Sequence, residues 1–588
     1  MSNLHLWWGE LLLDALARAG VRQVVVSPGS RSTPLALAAH RHPHLTTTVV
    51  VDERCAAFVA LGQARVTGRP SLLLCTSGTA GAHFLPAVIE ASEASLPLLV
   101  LTADRPPELQ GRGALQTTRQ AGLYGSFLRA SWELGVPDGH PAALAGARVT
   151  AAAAVQAALD PRPGPVHLNA PFRTPLEPQP EDPAEEALRN LVATFLETPV
   201  ARAGPPRRRA ASDLLEALAE ACAAARRGIV VCGPGPLRQA EAAGPLAALA
   251  VRLGFPVVAE AGSQLRFCAP SPAPLPMELL AGGDTPPHDL ALVVGSWPTS
   301  AAWSQVLTRP GNPRPWVVCE HGWVDPHNCA AGVVVGEVKE TLRRVAERMA
   351  SGEPRDGGWR TLWEETAALA ARELEEAEEE ERRGGRLSET AAVRAAVRCL
   401  PGGAFLALGN SLAIREVDLA CPAPGAEIKV LTQRGVSGID GGISGAAGAA
   451  LAGASPLLLI TGDLAFQHDL GGLATAAGVP TPLVILVLDN RGGRIFELLP
   501  VARSTVNEEE LNSLFLTPQR LEVELAARAF GVAATTVTTA PELEAALSQA
   551  LARHGCTVLR VVVRSDDRAR RRQRLREAVQ ARWRQVAR

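Results

Sequence analysis

Short runs of β-branched and aliphatic residues alternate along this chain with longer helical segments. Val21–Val26 is such a run. A polar turn, Ser27-Pro28-Gly29-Ser30-Arg31-Ser32-Thr33, follows it, and then a helical Pro34–Ala39. The next strand is expected near Thr46–Val51, with a helix starting around Asp52-Glu53-Arg54. Ser71–Cys75 reads as a strand, Thr76-Ser77-Gly78-Thr79 as a turn, Ala80–Ala94 as a helix and Leu98–Thr102 as a strand. Strands separated by helices predict βαβ units and a parallel sheet. Such sheets bind ligands at the carboxyl ends of their strands, where these turns lie.

The pattern is interrupted at Pro175–Pro183, which is proline-rich and acidic, and again at Ala201–Arg209; both read as linkers. A second α/β pattern runs from about Leu214 to Met349, with strands at Gly228–Cys232, Pro256–Ala259, Leu290–Val294 and Trp316–Cys319. Between Gly352 and Arg386 lies a charged helical stretch with Glu375, Glu376, Glu378, Glu379, Glu380 and Glu381, expected to be a solvated face. A third α/β unit spans about Leu387 to Val563, with strands at Phe405–Leu408, Pro456–Thr461 and Leu483–Leu488. The tail Arg568–Arg588 is arginine-rich, carries Trp583, and is expected to form a surface or subunit-packing helix. The fold class is therefore α/β, with three consecutive α/β domains and mainly parallel sheets.

The 588 residues leave room for three or four domains with a sizeable core. With 58 Lys+Arg against 60 Asp+Glu, the net charge of −2 excludes a globally basic nucleic-acid binder and a strongly acidic solvating chain. Ten cysteines with no CxxC pair argue against a disulfide scaffold or a zinc site and fit a reduced, cytoplasmic compartment. The first twenty residues carry Glu10 and Asp14 and lack the basic start of a signal peptide. The longest apolar stretch, Gly441–Thr461, is full of Gly, Ala and Ser, so no membrane span is expected.

The strongest candidate chemistry is in the third unit. The strand Leu457–Thr461 ends in Gly462-Asp463-Leu464, and the strand Leu483–Leu488 ends in Asp489-Asn490-Arg491-Gly492-Gly493. Asp463 and Asn490 are 27 residues apart, a helix plus a strand, which sets both ends side by side on one sheet edge. A carboxylate, an amide oxygen and backbone carbonyls are hard ligands suited to magnesium that also holds phosphate oxygens. The glycines let backbone amides approach a diphosphate. Either half alone is an ordinary turn. Glu53, following the strand Thr46–Val51, is either a helix-start carboxylate or a proton-transfer group facing an apolar pocket.

These features resemble the thiamine-diphosphate enzyme family along nearly the whole chain. Nine segments carry the resemblance in order: Ser27–Leu35, Asp52–Phe58, Thr76–Ala80, Pro86–Ala91, Leu101–Leu109, Gly409–Leu412, Arg434–Ser444, Gly462–Leu473 and Asn490–Pro500. The likeness is closest to the branch that joins 2-oxoglutarate to isochorismate. It implies a pyrimidine-binding domain over 1–185, a middle domain over 200–350 and a diphosphate-binding domain over 387–588. It implies thiamine diphosphate with magnesium, manganese being tolerated, and a metal held by Asp463, Asn490 and Gly492. Glu53 would hydrogen-bond the pyrimidine nitrogen as the catalytic residue. Ser77, Gly409, Asn410, Ser411, Ser437, Gly438, Ile439, Gly462, Asp463, Leu464, Asn490, Gly492 and Gly493 would bind the cofactor, with Ile439 as an apolar wedge.

The implied reaction is decarboxylation of 2-oxoglutarate followed by 1,4-addition of the succinyl carbanion to isochorismate. Both substrates are polyanions, and arginine binds carboxylates with two parallel hydrogen bonds. Arg415 and Ser411 would take the succinyl carboxylate. Arg31, Arg105 and Arg434 would take isochorismate, with Ser30 and Gln116 as hydrogen-bonding partners, while Ile495, Phe496 and Leu498 wall the site. A homodimer or homotetramer with shared active sites follows from the same resemblance.

The sequence departs from the family at Asp489, where an asparagine is common, at Leu115, where an asparagine is expected, and at Ala301-Ala302, which lacks basic residues. Cys55 beside Glu53 reads as a small buried hydrophobe. Three alternatives stay open: a thiamine-diphosphate carboligase or decarboxylase for another 2-oxo acid, a flavin or nicotinamide oxidoreductase, and a cofactor-binding protein without catalysis. The oxidoreductase rests on Cys232-Gly233-Pro234-Gly235-Pro236, a poor dinucleotide fingerprint lacking its third glycine.

Overall fold

A computed structural model describes every residue except 1–2, 181, 202–203, 205–206, 269–274, 277–284, 350–354, 356, 423–426, 565–567 and 587–588. Parts of the Ala201–Arg209 linker, the beginning of the Gly352–Arg386 stretch and the two ends of the chain thus lie outside the described residues. The chain divides into two compact units. One comprises Met1–Pro206, Gln433–Ala454 and Asp469–Val479; the other comprises Arg207–Thr432, Ser455–His468 and Pro480–Arg588.

The first unit is built on a six-stranded parallel sheet of β1 (Gln23–Val26), β2 (Thr46–Val49), β3 (Ser71–Cys75), β4 (Leu98–Asp104), β5 (Ala130–Glu133) and β6 (Pro165–Pro171). Their order is β2-β1-β3-β4-β6-β5, so the uniformly buried runs of β3 and β4 are central and the half-exposed, threonine-rich β2 is an edge. The helix Leu4–Ala19 buries Trp8, Leu11, Leu12 and Leu16 in this unit's core. It packs against the helix Pro141–Leu159, which is long and apolar enough to cross a membrane but buries Leu144, Ala151, Ala154, Val155 and Ala158 in the same core. The Pro175–Pro183 stretch is pinned back by Asn3, which donates to the Gln179 carbonyl (3.0 Å) and accepts from its N–H (2.9 Å). The helix Glu186–Glu197 beyond it also packs on Leu4–Ala19.

The small residues of Gly441–Thr461 have a specific use. The helix Gly442–Leu451 lies directly against the helix Glu53–Thr67. A Cβ on Gly62 would fall 2.0 Å from the Gly445 carbonyl oxygen, and one on Gly448 would fall 2.0 Å from that of Val59. Only glycine allows backbones so close, and neither clash can be relieved by turning a side chain.

The second unit holds two sheets. One contains β7 (Gly228–Cys232), β8 (Val257–Ala259), β9 (Leu275–Pro276), β10 (Leu290–Val294), β11 (Trp316–Cys319) and β12 (Gly332–Val335), ordered β12-β11-β10-β7-β8-β9. This is the doubly wound order of dinucleotide-binding sheets, with its switch point between β7 and β10. The glycine-proline turn after β7 lies there, but the Gln239 side chain, 2% exposed, packs over Gly235 and Gly295 and donates to the Ser263 carbonyl (2.8 Å). A side chain thus fills the turn where a dinucleotide fingerprint would cradle phosphate.

The other sheet contains β13 (Phe405–Leu408), β14 (Lys429–Thr432), β15 (Leu457–Gly462), β16 (Leu483–Asp489), β17 (Ala533–Val537) and β18 (Cys556–Val562), ordered β14-β13-β15-β16-β18-β17. Counted by position, this matches the order of the first sheet. The fully buried Arg266 joins the two sheets of this unit. Its guanidinium donates to the carbonyls of Val417, Asp418 and Cys421 at the C-terminal end of the helix Leu412–Ala420.

Two expectations are corrected here. The arginine-rich tail is the helix Arg568–Val586; Arg570, Gln573, Arg574, Arg576 and Arg584 are exposed as on a surface helix, but its apolar face is not free for subunit packing. Leu575, Val579 and Trp583 are buried in the core of the β7–β12 layer, with Trp583 edge-on to Trp363 at 4.9 Å. The glutamate run is only partly a solvated face. Glu375, Glu376, Glu379 and Glu380 are exposed, but Glu378 pairs with Arg394 and Arg398, and Glu381 is buried against Arg571. The apolar sides of these two helices face each other, which draws the flanking charges into pairs.

Gly448→Ala is expected to destabilise the first unit by about 1–3 kcal/mol through overpacking against the Val59 carbonyl. Calorimetry comparing the variant with wild type checks it; an unchanged unfolding midpoint would contradict the close helix contact.

Candidate active site

The candidates of the second unit gather at the carboxyl ends of three neighbouring strands. β13 runs into Gly409-Asn410-Ser411, β15 into Asp463 and β16 into Asn490. β15 and β16 are in register from Leu457↔Leu483 to Gly462↔Leu488, which brings the two ends level. Asp463 closes the gap: its Oδ2 accepts the Gly492 N–H at 2.7 Å, and its Oδ1 accepts that of Leu464 at 2.9 Å. Burial pushes the Asp463 carboxyl above the ordinary carboxylate range; those two N–H groups oppose the shift and the nearby Asp489 carboxylate adds to it. A cation at this position would remove the cost of ionising it.

The residues present fit a divalent cation holding a diphosphate. The Asn490 amide donates its Nδ2 hydrogen to Glu389, while its Oδ1 is buried with no partner. A buried amide oxygen without a hydrogen bond is an open ligand position. Gly492, at φ +116°, continues the loop; a Cβ there would meet the Leu516 oxygen at 2.1 Å. Among the described residues no cluster of three or more His, Cys, Asp or Glu could hold a metal. The set here is one carboxylate, one amide oxygen and a backbone carbonyl, with further oxygens left to a phosphate ligand. Asp489, in the place of the family's asparagine, is paired with Arg560 of β18 (2.6 Å).

Ser411 adopts φ +69°, and its carbonyl accepts from Arg415 Nη1 at 2.7 Å, so these two candidates are joined. Ile495 and Phe496 lie in the 3-10 turn Arg494–Leu498, with Leu498, and Phe496 packs on Phe515 at 5.4 Å.

The candidates of the first unit occupy the same edge of their own sheet. Ser30 and Arg31 follow β1, Ser77 follows β3 and Arg105 follows β4. Arg31 is buried; one nitrogen donates to the Phe172 carbonyl (2.8 Å), and its Nε has no partner. Ser77 and Gln116 are tied reciprocally, the Ser77 Oγ donating to the Gln116 carbonyl (3.0 Å) and Gln116 Nε2 donating to the Ser77 carbonyl (3.1 Å). Arg105 donates to the Leu115 carbonyl at 3.2 Å, and the Leu115 side chain is 87% exposed.

Glu53 is half-buried in the first turn of Glu53–Thr67, capped by Asp52. Burial pushes the Cys55 thiol up to about 12, so it is inert, as a small hydrophobe would be. The segment Gln433–Gly441 carries Arg434, Ser437, Gly438 and Ile439. It is anchored by the buried Glu90, which accepts the N–H groups of Gly435 (3.0 Å) and Val436 (2.7 Å). Ile439 is 40% exposed, so core packing does not account for it. Four of the eight described non-glycine residues with positive φ, namely Gln116, Ser411, Ser437 and Arg491, are candidates or adjoin one.

Residues 6–123 match the thiamine pyrophosphate enzyme N-terminal TPP binding domain, and residues 424–561 match the C-terminal TPP binding domain. The chain is 44% identical to the 2-succinyl-5-enolpyruvyl-6-hydroxy-3-cyclohexene-1-carboxylate synthase of Sorangium cellulosum, across 98% of this chain and 95% of that protein. The chain belongs to this synthase family. The synthase of Geobacillus kaustophilus is 38% identical, with 94% of each chain covered. Benzoylformate decarboxylase from Polynucleobacter necessarius has the same fold, with a TM-score of 0.70 at 18% identity over 95% of this chain and 98% of that one.

In this member of the synthase family, several residues that sequence reading passed over support the candidates. Glu389 holds Asn490, and Glu90 holds the Gln433–Gly441 loop. Glu90 stands inside Pro86–Ala91, a segment noted for its resemblance alone. Glu389 carried no local signal, because its partner is 101 residues away. Asp469 and Gly471–Gly472, beyond Asp463 in one motif, serve the first unit instead: Asp469 accepts from Ser444 N (2.7 Å) and Oγ (2.9 Å).

Beneath Arg105 runs a buried network. Asn169 donates to Asp104 (2.9 Å) and Glu133 (2.7 Å) and accepts from Thr102 (2.8 Å), which also contacts His167 (2.8 Å). Burial lowers His167 from 6.5 to about 4. The unfolded chain therefore takes up this proton more readily. The contribution of neutral His167 is complete above pH 6.5 and is lost as pH falls toward 4, amounting to about 3 kcal/mol. Burial raises Asp104 and Glu133, whose contributions change in the opposite direction. His167→Gln should therefore flatten the acid limb of the stability profile relative to wild type. Denaturant melts between pH 7 and 4.5 check this; parallel profiles would contradict it.

Proposed function

We propose that this chain decarboxylates 2-oxoglutarate and adds the resulting succinyl unit to isochorismate by 1,4-addition, in menaquinone biosynthesis. The reading is carried by one arrangement: Asp463 and the unpartnered Asn490 oxygen, level at adjacent parallel strand ends, in a chain belonging to the synthase family. Asp463, Asn490 and the Gly492 carbonyl hold magnesium, with manganese as a substitute. The backbone of Gly409–Ser411, Gly462, Leu464 and Gly493 and the side chains of Ser77, Asn410 and Ser437 hold thiamine diphosphate. Thiamine diphosphate, when bound, supplies the nucleophilic carbon and the electron sink for loss of carbon dioxide.

Glu53 holds and exchanges a proton at the pyrimidine nitrogen. Its half-buried position limits competing water. Ile439, partly exposed beside Gly438, supplies an apolar wedge. Arg415, fixed by the Ser411 carbonyl, takes the distal carboxylate of 2-oxoglutarate. Arg31, Arg105 and Arg434 take the carboxylates of isochorismate, with Ser30 and Gln116 beside them. The buried, unpartnered Arg31 Nε is what an anion-binding arginine presents before its ligand arrives. Ile495 and Phe496 exclude water.

We assign a pyrimidine-binding domain to 1–185, a middle domain to 200–350 and a diphosphate-binding domain to 387–588. The working form is a cytoplasmic homodimer or homotetramer in which Glu53 serves a partner's diphosphate site.

A thiamine-diphosphate enzyme for another 2-oxo acid would keep Glu53, Asp463 and Asn490 but would not need four arginines. The test supplies 2-oxoglutarate, isochorismate, thiamine diphosphate and magnesium and follows loss of isochorismate with product mass. Consumption needing all four components, with the succinyl adduct mass, is expected; carbon dioxide from a different 2-oxo acid alone would move the function to that second reading. Glu53→Gln should bind thiamine diphosphate normally and lose about 100-fold or more of turnover, because an amide cannot exchange the proton. Wild-type turnover in that variant would sink the assigned role.

A further inference from the structure

The arginine-rich C-terminal helix reaches the candidate metal loop through a buried ionic network. Arg568, at the first residue of Arg568–Val586, pairs with Glu389 and lies 3.8 Å from Glu416 and 3.5 Å from Glu497. Glu389 is 2% and Glu416 0% exposed. Two carboxylates so buried are tolerated only with cations beside them. Arg568 serves Glu389, and Arg572 serves Glu416 at 3.0 Å, where Thr390 also donates at 2.8 Å. Burial lowers Arg568 only to about 10, so it stays charged at neutral pH.

Glu389 uses one oxygen for Arg568 and the other for the Asn490 Nδ2. That second contact decides the orientation of Asn490. An asparagine amide can present either its oxygen or its NH2 to a site, because the two ends are nearly the same shape. Glu389, held from its other side by Arg568, accepts from the NH2, so the amide oxygen faces away from it. The buried, unpartnered Oδ1 is the result. A second link steadies the backbone: Arg568 approaches Glu497, Glu497 pairs with Arg494 (2.7 Å), and Arg494 Nε donates to the Asn490 carbonyl (3.1 Å).

We propose that the C-terminal helix is a positioning element for the metal loop: Arg568 holds Glu389 in place, and Glu389 turns the Asn490 oxygen toward the divalent cation. The proposal rests on the reading that Asp463 and Asn490 hold that cation. Arg568 and Glu389 are positioning residues, since they act through Asn490. The same contacts give the arginine-rich tail a use that its composition does not reveal. An outer partner that orients a metal ligand commonly changes affinity by about 10–100-fold.

The test measures Mn2+ binding to the full-length protein in the presence of thiamine diphosphate, by the electron paramagnetic resonance signal of free Mn2+. Arg568→Met should weaken Mn2+ binding about 10–100-fold, and Arg568→Lys should restore part of it. The double variant Arg568→Met/Glu389→Gln removes both charges together, so the core stays balanced if the single variant folds poorly. It should also bind Mn2+ weakly, because a glutamine no longer dictates the amide orientation. Arg582→Met is the control: Arg582, on the same helix as Arg568, pairs with Glu365 of the helix Gly358–Arg383, and the Mn2+ affinity of this variant should stay at the wild-type value. Wild-type affinity in both Arg568 variants would overturn the inference, as would equal weakening in Arg582→Met, which would reduce the effect to helix docking. Wild-type protein that binds no Mn2+ with thiamine diphosphate would overturn the metal assignment itself, and the inference with it.

Discussion

The hydrogen bond from the Gly492 N–H to the Asp463 carboxylate ties together the ends of two neighbouring parallel strands. Parallel pairing makes those ends level, and the turn after β16 then has to fold back over the end of β15. Asp463 satisfies one N–H of that turn and keeps its remaining acceptor capacity for a ligand. If the two strands slipped by one residue, the side chains would exchange faces, and the carboxylate and the amide would no longer share an edge. The buried, aliphatic character of β15 and β16 holds the register and hence the site.

The first and third sheets along the chain share a strand order, and each presents its candidates at the same edge. The first sheet offers arginines, hydroxyls and an amide; the third offers oxygen ligands and glycine-rich backbone. This division of chemistry over a repeated scaffold explains why most candidate residues lie beyond the carboxyl ends of β1, β2, β3, β4, β13, β14, β15 and β16, with Gly462 the last residue of its strand. The middle sheet has the order of a dinucleotide-binding layer, yet Gln239 fills its switch point. Fold order alone would have assigned that layer a ligand; the packed side chain removes the reason to do so.

Charge is used internally in this protein. A net charge near zero conceals two sets of buried or half-buried pairs, Glu378 and Glu381 with Arg394 and Arg571, and Glu389 and Glu416 with Arg568 and Arg572. Ion pairs at a surface contribute little, but pairs sealed between helices cannot lose one partner without stranding the other. This makes the glutamate run and the arginine-rich tail complementary halves of one structure, although nearly two hundred residues separate Glu381 from Arg571.

Much was legible from the residues alone. Buried apolar runs locate strands such as β3, β4, β7, β10, β15 and β16, because a run apolar on every position has only a sheet interior to occupy, whereas β5, β6, β9, β12, β14, β17 and β18 went unread. Asp463, Asn490 and Glu53 were legible because a strand-turn-helix repeat puts such turns at one edge. Local patterning could not reveal partners distant along the chain. Glu389 looks like any helix-start glutamate until Asn490 and Arg568 meet it, and Glu90 like any helical acid until Gly435 and Val436 donate to it. Nor could it distinguish a solvated arginine helix from one whose Leu575, Val579 and Trp583 insert into a core, since the apolar positions are few and the charges dominate. Periodicity is a local property of the chain, whereas the pairing of buried charges and the orientation of an amide depend on which surfaces meet, and the tertiary structure alone decides that.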